Sequence, residues 1–233
     1  MRKVQKLTTA KECAIIIKWI YKIFCDHPAT VTLQERGENM SFIVQYLLHP
    51  RSVGAVKPSS KHLAKKMVED VNFCKARCIA ELGAGTGVFT EEVVKAKRDE
   101  TVYLVFEIND AFYRTLNDKY GSIPNVHIIH DSAEKLASCL AKYGFSRSDY
   151  ILSGLPFASL PKETSDRILR ECRRCLTAGG SFITFQYTRL KLPLFRKYFA
   201  KISLKKENRN VPPAYIMNCK NGRKKKNGTS PAS

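Results

Sequence analysis

Three alternating glycines and a set of strand-end acids carry most of the chemistry legible in this chain. Gly83, Gly85 and Gly87 follow the apolar run 79–82, and a helical pattern begins at Val88. Glycine accepts positive φ and lets a ligand approach bare backbone. The helix behind it turns unpaired N–H groups toward the loop. Such a loop predicts a cofactor. Its spacing is G-x-G-x-G, not the G-x-G-x-x-G of dinucleotide sites, and Glu81 stands two residues before the first glycine. A carboxylate so close repels a diphosphate, whereas S-adenosylmethionine (SAM) brings an ammonium and a sulfonium. Glu107 closes a predicted strand over 102–106 and can accept both ribose hydroxyls, with Ile108 beside it. Asp131 and Ser132 follow a predicted strand over 126–130 and are placed for the adenine amino group. A fourth strand, 150–152, runs into Ser153-Gly154-Leu155-Pro156-Phe157. Special residues at four successive strand ends match the rule that open α/β sheets bind ligands at their carboxyl edge. The residues expected to hold SAM are therefore Ser59, Ser60, Glu81, Gly83, Gly85, Glu107, Ile108, Asp131, Ser132 and Ser153, with Ser59 or Ser60 closing over the methionine end. An ordinary glycine-rich turn with surface acids is the plainer alternative.

The elements around these residues come from composition and periodicity. A chain of 233 residues with 44% apolar residues can bury a sizeable core. Its net charge of +19, from 40 Lys+Arg against 21 Asp+Glu, predicts attraction to a polyanion, either nucleic acid or an anionic membrane surface. Eight cysteines are scattered without a framework, and Cys172-x-x-Cys175 lacks a second pair at zinc spacing, so no metal is expected. Reduced thiols and a reducing compartment are the expectation. Residues 9–25 read as a separate helix opened by a capping box at Thr9 and Glu12. At ~100° per residue, Cys13, Ile16, Ile17, Ile20, Ile23 and Phe24 share one face and Lys11, Lys18 and Lys22 the other. Trp19 and Tyr21 lie at the borders, as in a membrane-surface helix. The stretch is too short and too lysine-rich to span a bilayer. A helix packed on the core with its lysines in water fits the same pattern. Further helices are predicted over 38–48 and 61–71, the second capped by a serine. The basic region 189–209 reads as a helix followed by a strand, or as a track for a phosphate-bearing partner. The tail with Arg223-Lys224-Lys225-Lys226 has a disordered composition.

Three stretches together resemble the bacterial phospholipid N-methyltransferases. They are His49-Pro50-Arg51-Ser52-Val53-Gly54-Ala55-Val56-Lys57-Pro58-Ser59-Ser60, the Glu81-to-Val88 loop, and Ser153-Gly154-Leu155-Pro156. The likeness continues through Thr184-Phe185-Gln186-Tyr187 to Val211-Pro212-Pro213-Ala214, and so covers nearly all of the chain from Phe42. It implies a Rossmann-like class I methyltransferase, with a mostly parallel seven-stranded sheet, helices on both faces and an N-terminal amphipathic helix. It implies an anchor and linker over 1–37, a methyltransferase domain over 38–219 and a basic tail over 220–233. The implied reaction converts phosphatidylethanolamine stepwise toward phosphatidylcholine, in the cytoplasm on the inner face of the membrane. The family is also similar to the ribosomal RNA adenine dimethyltransferases, which carry Asn-Leu-Pro-Tyr/Phe in the fourth strand's loop. That asparagine position is Gly154 here, which removes one of two acceptors for a planar arylamine.

The reaction expected is in-line displacement, in which alignment is the protein's main contribution. Baring the lone pair of an alkylammonium at pH 7 costs about 4 kcal/mol. Charge gained by the product favours aromatic faces around the nitrogen. The candidates for this catalytic work are Leu155, whose carbonyl can accept from the ammonium, and the rings of Phe157, Tyr187 and Tyr46. The proton acceptor is left open among Tyr46, His62, Tyr187 and water. Two other functions stay in view: an RNA adenine N6-methyltransferase and a SAM-binding adaptor without catalysis.

Overall fold

The computed structural model describes residues 60–210 and 213–222, which belong to the compact unit Gly54–Ser233. The helices expected over 9–25 and 38–48, Tyr46, Ser59 and the basic tail from Arg223 lie outside the described residues. The first helix, α1 (Lys61–Val68), is capped by Ser60, whose Oγ accepts from the Leu63 N–H at 3.2 Å. It stops short of the expected residue 71. Val71 N–H closes a turn on the Val68 carbonyl, and the Asp70 side chain is drawn away to Lys205 and Asn218.

Seven strands then alternate with helices. In chain order they are β1 (Cys78–Leu82), α2 (Val88–Ala96), β2 (Val102–Phe106), α3 (Asp110–Tyr120) and β3 (Val126–Ile129). A 3-10 turn (Ala133–Lys135) leads into α4 (Leu136–Lys142), β4 (Ser148–Ser153), α5 (Lys162–Cys175) and β5 (Leu176–Gln186). The chain closes with α6 (Leu192–Tyr198), β6 (Lys201–Glu207) and β7 (Ala214–Lys220). Sheet order is β3-β2-β1-β4-β5-β7-β6, parallel except for β7, which runs antiparallel to both neighbours. The basic region 189–209 thus forms the helix and strand expected of it. Among the described residues no helix is long and apolar enough to cross a membrane.

The central strands are buried on both faces, as a parallel sheet between helix layers requires. Alternation along each strand sends Ile79, Tyr103, Val105, Leu152 and Ile183 to one layer, against Leu63 and Met67 of α1, Phe89 and Val93 of α2, and Leu116 of α3. Ala80, Leu104, Ile151, Phe182 and Met217 face the other, against Leu140 of α4, Ile168 and Leu169 of α5, and Phe195 of α6. Each fully buried phenylalanine ring in these layers stabilises by roughly 1.5–3 kcal/mol. The six cysteines among the described residues are free. Cys172 is fully buried, and burial pushes the Cys175 thiol up to about 12, so these are core side chains that stay protonated.

Candidate functional site

Parallel connections place the carboxyl ends of β1, β2, β3, β4 and β5 along one edge, and the glycine loop leaves β1 at its centre. Gly83 and Ala84 donate their N–H groups to the Phe106 carbonyl, which ties the loop to the end of β2. Gly85 adopts φ +56 and has nothing within 4 Å of where a Cβ would stand, leaving bare backbone open to a ligand. Its N–H donates to Glu107 Oε2 at 2.7 Å, while Glu107 Oε1 accepts from the Asn109 N–H at 2.8 Å. Asn109 in turn caps α3 through its side-chain oxygen, so the acid sits on a fixed corner. Each carboxylate oxygen has a second acceptor position left for a ribose hydroxyl.

The adenine side is assembled from β2 and β3. Ile108 is 58% exposed beside Glu107, an apolar surface of the kind a flat base covers. Its carbonyl lies 3.1 Å from His130 Nε2, and the His130 ring stacks on Tyr113 at 4.6 Å. Asp131 is exposed, with Oδ1 accepting from the Ser132 N–H at 2.6 Å, and Ser132 caps the 3-10 turn. An open Gly85 and a cornered Glu107 fit the amino acid and ribose parts of SAM. A hydrocarbon face next to an exposed carboxylate fits its adenine. Gly83, Gly85, Glu107, Ile108, Asp131 and Ser132 therefore gather in one place.

Glu81 does not join them at the surface. It is fully buried beneath the loop, where its Oε2 accepts from Thr90 Oγ1 at 2.8 Å and from the Tyr103 hydroxyl. Burial pushes its carboxyl up to about 7, with the nearby Glu107 charge adding to the effect. Its Oε1 is buried without a partner among the described residues. Ser60 spends its hydroxyl on the α1 cap and donates its N–H to Asn210 Oδ1 at 3.2 Å. Ser153 is fully buried and braces the fourth loop: its Oγ accepts from the Leu155 N–H and its carbonyl accepts from Thr184 Oγ1.

That fourth loop is where spacing alone misleads. Phe157 is fully buried, edge-on to Phe195 at 5.2 Å and to Phe182 at 6.2 Å, so its ring belongs to the core and not to a cage around an amine. The Leu155 carbonyl already accepts from the Phe157 N–H at 3.0 Å, with one lone pair left over. The aromatic wall comes from elsewhere. Phe185 and the half-buried Tyr187 stand edge-to-face at 5.6 Å, and Phe185 packs edge-on to the core ring of Phe89 at 5.8 Å. Phe89 also lies next to Gly154, 3.6 Å from where a Cβ would stand there. Alternation along β5 put Phe185 and Tyr187 on one face and could have found them together; Phe89 carried no signal. His62 is exposed on α1.

The tightest approach in the site is at Gly154. A Cβ built there would lie 2.5 Å from the Gly83 carbonyl oxygen, a backbone atom of the cofactor loop. Any side chain at 154 therefore has to displace the loop.

Comparisons with known proteins agree with this geometry. Residues 79–180 match the family model of the methyltransferase domain. The chain is 27% identical over 184 residues to the ornithine lipid N-methyltransferase of Singulisphaera acidiphila, covering 77% of this chain and 94% of that protein. It is 32% identical over 99 residues to ribosomal RNA small subunit methyltransferase A of Shouchella clausii, which spans 41% of this chain and 32% of that one. Among solved structures, the fold is shared with a Burkholderia thailandensis 1,6-didemethyltoxoflavin-N1-methyltransferase bound to S-adenosylhomocysteine. The TM-score is 0.62 at 14% identity, over 85% of this chain and 93% of that one. The fold is that of a class I methyltransferase and the cofactor is SAM.

Proposed function

We propose that this SAM-dependent methyltransferase domain acts on the amine of a lipid headgroup. Its substrates are phosphatidylethanolamine and the methylated intermediates toward phosphatidylcholine. The observation that carries the reading is the contact of Gly154 with the loop. A planar adenine amine needs a side-chain acceptor at that position, and the Gly83 carbonyl 2.5 Å from the Cβ position leaves no room for one. A flexible alkyl amine needs none. Similarity to a lipid N-methyltransferase over 94% of that protein supports the same choice.

SAM supplies an electrophilic methyl group when bound. The chain supplies position. The free lone pair of the Leu155 carbonyl accepts from the ammonium and orients the nitrogen toward the loop. Phe185 and Tyr187 offer ring faces to a nitrogen that becomes permanently cationic after the last transfer. The stretch 9–25, whose sequence pattern is that of an amphipathic helix, is the part of the chain we assign to an anionic leaflet, each lysine or arginine near the surface adding about 1 kcal/mol.

Incubation with labelled SAM and either phosphatidylethanolamine vesicles or unmodified ribosomal RNA separates the readings. Label is expected in the lipid. Label in RNA alone overturns the proposal in favour of an adenine N6-methyltransferase, and label in neither favours a SAM-binding adaptor. Flotation with and without residues 1–25 tests the anchor, and unchanged vesicle binding after deletion would remove it from the account.

A further inference from the structure

The same edge carries a second cluster that the cofactor does not use. Gln186 at the end of β5 pairs with Tyr215 at the start of β7, and Tyr215 pairs with Lys206 near the end of β6. Residues directly opposite in a ladder share a face, so Gln186, Tyr215 and Lys206 form one row across three strands. Lys206 Nζ lies 5.9 Å from the centre of the Tyr215 ring. The guanidinium of Arg189, three residues beyond β5, lies 5.9 Å from the same ring.

Neither cation has an acidic partner among the described residues, unlike Lys205 and Arg209 on the same strand and just beyond it. Lys205, on the opposite face of β6, is held by Asp70 at 2.7 Å and Glu69 at 3.2 Å. Arg209 is paired with Glu207, and Arg167 with Glu134. Two like charges drawn to one ring without an acid repel each other, and an anion arriving between them relieves that repulsion. An apolar side chain stands beside them: Leu190, between Arg189 and Lys191, is 67% exposed. Leu204, two residues from Lys206 and on its face of β6, is 38% exposed. A soluble anion has no use for those side chains, whereas a lipid interface buries them.

We propose that Arg189 and Lys206, placed about Tyr215, receive the anionic group of the lipid whose amine is methylated, while Leu190 enters the interfacial layer beside it. The ligand is a phosphodiester, as in phosphatidylethanolamine, or a carboxylate, as in an ornithine headgroup; both pair an anion with an amine in one headgroup. β5 is the immediate neighbour of β4, whose end leads into Gly154, so the anion and the amine of one headgroup are held along one edge. This site rests on the lipid reading given above.

The full chain carrying Arg189→Gln and Lys206→Gln is compared with a charge-matched control, Lys75→Gln and Arg173→Gln, two exposed cations at the other end of the strands. Binding to phosphatidylglycerol–phosphatidylcholine vesicles is expected to fall about thirtyfold in the first variant, the effect of two cations at an anionic surface. The control should stay within about threefold. Equal losses in both variants would reduce the cluster to general charge attraction and overturn the proposal. So would saturation of the site by inorganic phosphate with no response to vesicles, or loss of RNA retention in place of vesicle binding. In mixed micelles KM for phosphatidylethanolamine or an ornithine lipid should rise about tenfold with kcat nearly unchanged, while a long-chain alkylamine lacking an anion should be unaffected. A fall in kcat with KM constant, or equal effects on the alkylamine, would also sink it. If the wild type methylates no lipid, the substrate reading falls, and the vesicle comparison still decides whether this cluster binds lipid.

Discussion

Along the edge from β3 to β1, the binding groups are glycine backbone and carboxylates, each already engaged with a neighbour; along the edge from β4 to β6, they are rings and cations with no acid partner among the described residues. Glu107 holds the N–H groups of Gly85 and Asn109 before any ligand arrives. Arg189 and Lys206 face a shared ring with no acid beside them among the described residues. The first half is built for a small cationic cofactor that always has the same shape. The second, in the proposal made above, receives a partner that brings its own negative charge and its own apolar surface. Gly154 is the hinge of the comparison, because its bare Cα lets the acceptor loop pack onto the cofactor loop.

The cofactor half is broken most severely at Glu107. In Glu107→Ala two charge-assisted bonds to ribose are lost, each contributing about 1.5–3 kcal/mol, so SAM affinity should fall at least about a hundredfold by calorimetry with the fold retained in circular dichroism. Affinity within about threefold of the wild type would mean that this edge does not hold the ribose. A smaller effect concerns Glu81, the acid sealed beneath the loop. An acid whose folded pKa is raised binds its proton more tightly when native. The stability this gives Glu81 is complete below the ordinary 4.5 and lost as pH rises through about 7. Urea denaturation should therefore show the wild type losing on the order of 3 kcal/mol relative to Glu81→Gln between pH 4.5 and 8; parallel pH profiles would place an ionised carboxylate under the loop. Smallest is the hinge itself. Gly154→Ala should destabilise the domain by about 1–3 kcal/mol, against less than about 0.5 kcal/mol for Gly179→Ala, where a Cβ meets nothing within 4 Å. Equal melting temperatures for the two would dissolve the contact between the halves.

The same division governs what could be read from residue order alone. The glycine spacing, Glu107 and the acids at successive strand ends act through local backbone rules, and the structure gathers most of them as the pattern implies. Glu81 was legible as an acid but not as a buried one, because its partner Tyr103 arrives from the neighbouring strand, 22 residues away. Phe157 was legible as an aromatic next to the site, yet the turn held by its N–H on the Leu155 carbonyl sends the ring into the core. The basic run 189–209 looked uniform. Strand alternation divides it, sending Lys205 to Asp70 and Lys206 to Tyr215 on opposite faces of β6. Which face meets an acid depends on Glu69 and Asp70 in the turn after α1, more than a hundred residues earlier.

The grip of Glu107 on Gly85 has a further consequence, for rates of exchange and not for affinity alone. A loop that already has its binding shape gives up little conformational freedom when SAM enters, and it has none to regain when the demethylated cofactor leaves. Product release then needs only the breaking of ribose and adenine contacts, with no reopening of the loop. On the lipid reading proposed above, an enzyme that reloads between successive methylations of one headgroup gains from a cofactor loop held in this way.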